Sequence, residues 1–457
     1  MTLPASRTRN VHGIVLEPDW IVPVQTERIL HGCIVAINGL IEFIGTELPS
    51  RFHSLPRIRL EQTAILPGWI NSHCHLEFSD LETPIPCEGT FDQWLARVIA
   101  RRSLAPSLST EDRSSLRRDA IRKGLFESWR CGVRWIIDNV TEPWDPAWIH
   151  QWQSDARSSL HDLAANTLVP DTLLSVQPCF ELIDVQSNRW QQTSDFAFEQ
   201  IDAPKLSGVV SPSLAPHAPY TASLRVTRRA AQWSSSHSGL VSMHLAESRE
   251  ELDWLEQRSG TLGDWIAPKT DAIHRSNLGT IDDHLEILSH GCRSLVIHAN
   301  YLKPHQIDFL ARHRDRMAVV YCPRTHAWFG HTTHPVRQLA SQGVSVLIGT
   351  DSRASTANLN LWEELGFIAR TGALDAAWSP IGSISGDAAR FLNLPFGIGR
   401  LEVGAASRLS AVRWDENIAM ADCVLQTERD FAAWMMERGK PYPLEIDARL
   451  ALPRTSD

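Results

Sequence analysis

Five side chains able to bind a divalent metal recur along this chain in one kind of setting. His73 and His75 lie in PGWINSHCHLE, His244 in VSMHLAES, His298 in VIHANY and Asp351 in LIGTDS. Each follows an apolar, β-branched run, so each falls at the C-terminal end of an expected strand. His73 and His75 are two residues apart. Alternate residues of a strand share a side, so both imidazoles can face one point while Cys74 turns into packing. Three imidazole nitrogens and one carboxylate oxygen suit zinc or ferrous iron and leave a position for water. A metal held in this way lowers the pKa of bound water toward neutrality and supplies a nucleophile at pH 7. We read His73, His75, His244 and Asp351 as the ligands and His298 as a catalytic group beside them. A set with His298 as a ligand satisfies the same spacing.

Glu247 lies three residues after His244, where the strand ends and the chain turns over the expected metal. Removing an amine from an aromatic ring needs a proton on a ring nitrogen and a leaving group converted to ammonia. A carboxyl group next to the activated water can carry that proton. The same position also suits an acid at a helix N-terminus, favoured by the dipole. His217, in APHAPYT, ends another apolar run and can contact a substrate or sit satisfied at the rim.

The elements that must position these residues are eight apolar runs: 63–73, 133–139, 173–181, 209–217, 240–247, 294–300, 317–323 and 344–351. Helical stretches such as FDQWLARVIARR, RVTRRAAQWS and HQIDFLARH lie between most of them. WDPAWIHQWQSDARSSLHD is only partly periodic. Strand and helix alternating eight times predict an α/β fold, a (β/α)8 barrel of the TIM type, which carries its chemistry on the C-terminal rim of the strands. The flanks read differently. HGIVLEP, CIVAING and LIEFIGT at one end, and GIGRLEVGAASRLSAVRW and CVLQT at the other, are short strands with turns. They predict a small composite β-sandwich built from both termini, with residues 1–62 and 397–457 around a barrel of 63–396. Rim loops that shape a substrate pocket are expected within 141–172 and 259–290.

The composition excludes several classes of partner. A net charge of -9 argues against a nucleic-acid backbone, and no apolar run is long enough to span a bilayer. Eight scattered cysteines without a CxxC pair argue against a zinc knuckle or a disulfide framework and fit reduced thiols in the cytoplasm. The N-terminus shows no apolar segment of a signal peptide. A homodimer is the base-rate expectation. Most of the 17 tryptophans belong to packing, with one or two free to line a pocket for a flat substrate.

Taken in order, PGWINSHCHLE, PHAPYT, HLAES, IHANY, CPRTHAWF and GTDS resemble the amidohydrolase superfamily. More narrowly, they look like its aminohydrolases and chlorohydrolases acting on aromatic amines such as cytosine, guanine, adenosyl nucleosides and triazines. The resemblance implies one divalent metal on His73, His75, His244 and Asp351, zinc first and ferrous iron second. It makes Glu247 the proton shuttle to the ring nitrogen, lets His298 position the attacking water, and gives Asp351 a second role as base. His217 and Ser355 match substrate-contacting positions. HCHLEFSDL followed by GTFDQWLARVI is most similar to aminodeoxyfutalosine deaminases, which implies a 6-aminopurine nucleoside as substrate with Glu77, Phe78 and Trp94 near it. Such a substrate would also want an arginine, from Arg97, Arg101, Arg102 or Arg353. A triazine-type chlorohydrolase or N-dealkylating hydrolase would use the same site, and a non-catalytic scaffold barrel would keep only the fold. Two departures stand out: Cys74 replaces the usual threonine, and Ala405, Ser407 and Arg408 replace the usual lysine and Ala-Asp-Leu. No lysine ends the fourth run, which argues against a carboxylated-lysine, two-metal site.

Overall fold

A computed structural model describes residues 13–103, 108–163, 172–371, 377–414, 435 and 440–442. Its first part is a mixed sheet. β1 (Gly13–Ile21), β2 (Ile29–Leu30), β3 (Cys33–Ile37), β4 (Leu40–Gly45) and β5 (Arg57–Pro67) come from the N-terminal segment. Side chains alternate between the sheet faces: Ile14 and Leu16 enter one apolar cluster with Leu60, Leu401 and Leu409, while Val15 joins Val35 and Phe52 on the other face.

Eight parallel strands follow: β6 (Trp69–Cys74), β7 (Val133–Val140), β8 (Ser175–Leu182), β9 (Ser213–Pro216), β10 (Leu240–Leu245), β11 (Arg293–His298), β12 (Met317–Tyr321) and β13 (Ser345–Ile348). Each pairs with its neighbours in chain order, and each overlaps a run expected from sequence, with β6, β7, β8 and β11 reaching one residue beyond it. The strands are buried along nearly their whole length, as both faces of a barrel wall require. Trp135, Ile137, Leu295, Ile297, Val320 and Leu347 fill the interior together with Phe391 of the helix Gly386–Leu392. Ile136, Val176, Val296 and Val319 face the surrounding helices.

The seam between β13 and β6 has no regular ladder. It is tied at its upper end, where the Thr350 and Asp351 amides both donate to the His73 carbonyl at 3.1 Å. Asn71 staples it with two side-chain bonds to Thr350. Gly349 permits the close approach, since a Cβ there would stand 2.8 Å from the His73 Cβ and carbonyl oxygen.

β14 (Leu409–Arg413) returns to the first sheet and runs antiparallel to β5, and β15 (Lys440–Tyr442) pairs with β14. Both ends of the chain therefore share a domain, as expected, but the described residues form one sheet and not two stacked ones. The boundary expected between 62 and 63 is corrected. β5 runs through it to Pro67, and Gly68 alone separates it from β6. The apolar run continues unbroken from Ala64 to Leu66, and the first turn residues are Pro67 and Gly68. A Cβ at Gly68 would meet the Arg408 carbonyl at 2.4 Å. CVLQT lies outside the described residues.

Two helical readings change. The partly periodic segment forms a continuous helix, Pro146–Leu163, anchored by buried Ile149 and Trp152. Residues 259–290, expected to contain a loop, fold largely into the helices Thr261–Ile266, Ala272–Ser276 and Ile281–Leu288. Among the described residues no helix is long and apolar enough to cross a membrane.

Candidate active site

The barrel brings the five sequence-identified residues to one point on its C-terminal rim. His73 Nε2 and His75 Nε2 lie 3.6 and 3.8 Å from Asp351 Oδ1. His75 Nε2 faces His244 Nε2 at 3.3 Å. The ligand atoms of His73, His75 and Asp351 fall within 4.8 Å of one another, and so do those of His73, His244 and His298. Burial, then the neighbouring His73 charge, pushes the His75 imidazole well below its ordinary pKa, and the same causes bring His244 to about 3. Both shifts favour the neutral rings, whose Nε2 atoms face each other. Neither ring nitrogen of buried His73 has a hydrogen-bond partner. Imidazole nitrogens and a carboxylate oxygen brought this close together match the donor set of a divalent cation. Burial opposes ionisation of Asp351, but the surrounding imidazoles, His73 first, hold its carboxyl below the usual range.

Hydrogen bonds fix these groups. His244 Nδ1 donates to the His217 carbonyl at 2.8 Å, which leaves Nε2 bare. Asp351 Oδ2 accepts from Ser355 Oγ at 2.9 Å, and Ser355 in turn pairs with Thr325. Ala246, His298, Ala299 and Asp351 all have positive φ, between 53° and 69°. Such backbone is costly for residues other than glycine and collects where side chains must be aimed.

Glu247 stands beside this group, its Oε1 3.4 Å from His298 Nε2. Burial first, then the Asp351 and Glu251 charges, raises its pKa well above the carboxylate range. Its backbone is clamped from both sides: the Glu247 amide donates to Glu251 Oε2 at 2.7 Å, and Asn300 Nδ2 donates to its carbonyl at 2.9 Å. His334 Nε2 donates to the His298 carbonyl at 2.8 Å.

A cavity of about 400 Å³ opens above the site. His75, His217, His244, Glu247, His298 and Asp351 form its floor, and Phe78, Trp94, Leu95, Val98, Tyr220 and Trp265 form much of its wall. Trp94 is held by Phe91, stacked at 5.9 Å, and by Phe329, edge-on at 4.9 Å. The His217 ring lines the cavity and is hydrogen-bonded through Nδ1 to Thr221 Oγ1 at 2.6 Å.

Two expected substrate contacts are corrected. Ser355 is 1% exposed and points at Asp351 and Thr325, not into the cavity. Glu77 lies outside the lining because its carboxylate is taken by Arg102, Arg117 and Thr141. Of the four arginines considered, Arg102 alone lines the cavity. Arg97 bonds the Pro86 and Glu88 carbonyls, Arg101 pairs with Asp80, and Arg353 pairs with Glu127 and the Leu81 carbonyl. Rim segment 259–290 contributes Trp265, Ile266 and Lys269, whereas none of the described residues of 141–172 lines the cavity.

Sequence reasoning missed Arg189, Lys269, Glu181 and Glu251. The first two line the cavity, yet are ordinary surface types on helical segments. Glu251 follows Glu247 by four residues in HLAESREE, a spacing that places it one helical turn on. Glu181 ends an expected strand just as the ligands do, and that position was the available signal.

Residues 64–428 match the amidohydrolase family, so the chain belongs to that family. It is 26% identical over 422 residues to a 5-methylthioadenosine/S-adenosylhomocysteine deaminase of Moorella thermoacetica, covering 87% of this chain and 85% of the relative. It is 23% identical over 359 residues to an aminodeoxyfutalosine deaminase of Nitratiruptor sp., covering 77% and 78%. The fold matches the crystal structure of Helicobacter pylori aminofutalosine deaminase in complex with methylthio-coformycin. The TM-score is 0.70 at 18% identity, over 94% of this chain and 97% of that one.

Proposed function

We propose that this chain is a metal-dependent aminohydrolase that releases ammonia from the 6-amino group of a purine nucleoside such as aminodeoxyfutalosine. The observation that carries the reading is the placement of the Glu247 carboxyl. It is buried, it faces His298 at 3.4 Å, and it shares with the ligand cluster the floor of a cavity wide enough for a nucleoside. Names of relatives that act on adenosyl-type nucleosides support the substrate class.

His73, His75, His244 and Asp351 would hold one zinc ion, with ferrous iron accepted by the same set. The metal supplies Lewis-acid activation of water at neutral pH. The chain does the rest. Glu247 carries a proton to a ring nitrogen, which makes the amine-bearing carbon electrophilic. His298 Nε2 orients the attacking water, and Asp351 Oδ1 accepts its proton. Protons delivered through Glu247 convert the leaving amine to ammonia, so one water is consumed and a C–N bond is exchanged for a carbonyl. Trp94 offers a flat face to the purine. The seven described cysteines are all free, in keeping with a cytoplasmic protein.

The test is ammonia release by zinc-loaded protein against aminodeoxyfutalosine, adenosine, S-adenosylhomocysteine, guanine and cytosine. Release from one or more of the purine nucleosides is expected. Turnover of guanine or cytosine alone would overturn the substrate class and leave the metal site standing. Metal content of Asp351→Asn against His298→Gln separates the two ligand sets, because loss of stoichiometric metal is expected for Asp351→Asn only.

A further inference from the structure

Glu181 sits at the end of β8, on the same rim as the ligands, but does not line the cavity. It is 3% exposed and neither carboxylate oxygen has a hydrogen-bond partner. A buried acceptor in that state is rare in a folded protein and requires a reason. Nearby arginines do not provide one. Arg102 and Arg117 pair with Glu77, and Arg189 Nη1 donates to Gln192 Oε1. Among the described residues, the basic nitrogen recorded within 4.0 Å of Glu181 is His75 Nδ1, at 3.9 Å from Oε1. That nitrogen is also buried and without a partner. Two complementary orphans therefore face each other, while the opposite nitrogen of the same ring, Nε2, points at His244 and Asp351. His244 already has the matching arrangement, with Nδ1 on the His217 carbonyl.

We propose that Glu181 is a positioning residue for the metal centre. Its carboxylate accepts the Nδ1–H of His75, which fixes the tautomer with Nε2 bare and places a negative charge behind that ligand. The inference rests on the reading of His75 as a ligand. The 3.9 Å separation lies outside hydrogen-bond range, and a shift of about 1 Å in the Glu181 side chain brings it to 2.7–3.2 Å. A carboxylate behind a metal-bound imidazole makes the ligand more basic and holds the metal more tightly. The same charge makes a water activated at the site surrender its proton at higher pH.

The experiment compares full-length wild type with Glu181→Leu and Glu181→Gln. Three readouts apply: zinc affinity by chelator competition, exchangeable ligand N–H signals in the NMR spectrum of the cobalt(II)-loaded protein, and the pH profile of kcat/KM. In Glu181→Leu, zinc affinity should fall about 10- to 100-fold at unchanged stoichiometry, with the His75 N–H signal lost to solvent exchange. The acid limb of the profile should move to lower pH. Glu181→Gln keeps an acceptor but not the charge, so it should retain the N–H signal and show the shifted limb. Wild-type affinity, signals and profile in both variants would overturn the proposal. If Glu181→Leu does not fold, an unaltered profile and affinity in Glu181→Gln would do the same. His75, Glu181 and His244 also bring ligand atoms within 4.8 Å. X-ray absorption showing two carboxylate ligands in the wild type would therefore make Glu181 a ligand and overturn its positioning role. A wild type that binds no metal would overturn the proposed function together with this inference.

Discussion

The floor and the wall of the cavity are built by different means. Floor residues stand on strand ends and are aimed by fixed bonds: the His217 carbonyl on His244, Ser355 on Asp351, Glu251 and Asn300 on the backbone of Glu247. Several wall residues come from helices outside the barrel. Trp94 and Arg102 belong to Phe91–Ser103, Arg189 to Ser187–Asp202, and Trp265 to Thr261–Ile266. They are held by ring packing and by polar pairs, part-buried for Arg102 with Glu77 and exposed for Arg189 with Gln192. On the proposed function, these fixed floor groups set the reaction. On the same reading the wall, which stands outside the reacting groups, sets the substrate.

The sharpest way to break this division is Glu247→Gln. Turnover should fall by about 10²- to 10⁴-fold while bound metal stays stoichiometric, read by single-turnover kinetics and metal analysis. Full activity would remove Glu247 from the floor's chemistry. Gly349→Ala comes next. Its Cβ would press on His73 at 2.8 Å, so unfolding free energy should drop by about 3 kcal/mol with weaker metal binding. A variant as stable as the wild type would show that the seam yields where the floor should not.

His284 tests the wall segment. It is buried in the helix Ile281–Leu288, bonded to Thr227 Oγ1 at 3.0 Å and the Leu278 carbonyl at 2.7 Å. Burial brings its pKa down to about 4, from about 6.5 in an unfolded chain. Its contribution is therefore complete above pH 6.5 and is lost as pH falls toward 4, by about 2 kcal/mol between pH 6.5 and 5. Hydrogen exchange in 272–288 should quicken over that window before the barrel strands respond, and His284→Gln should flatten the dependence. Equal acceleration in β6 and β10 would mean that wall and floor open as one. The smallest effect is expected from Trp94→Ala, an increase in KM of about tenfold with kcat retained. A fall in kcat at constant KM would place Trp94 with the floor.

The same contrast governs what could be read from the residues alone. The eight strands and the five rim residues were legible because buried parallel strands are continuous apolar runs, and each rim residue is an imidazole or carboxylate at the end of one. Ser355 was placed on the substrate from a motif, but a serine four residues after Asp351 also lies one turn on, where its hydroxyl reaches the aspartate instead. Glu77 was assigned to the pocket, and two arginines from separate helices claimed it. Neither pairing leaves a periodic trace. The helix Ser187–Asp202 escaped notice because its sequence, SNRWQQTSDFAFEQID, is mostly polar and its buried face, Thr193, Ser194 and Ala197, is small. Glu181 was passed over because a lone carboxylate at a strand end has meaning only beside His75.

The pairing of β5 with β14 sets a timetable for synthesis. Thr63 meets Arg413, and Pro67 meets Leu409. About 340 residues must leave the ribosome after β5 before its partner exists, roughly 20 to 70 s at 5–20 residues per second. Throughout that interval one edge of β5 offers unsatisfied amides and carbonyls. The first strands of the nascent chain thus depend on nearly the last for their protection, and a ribosome stalled after β13 would release a chain with that edge still open to a neighbour.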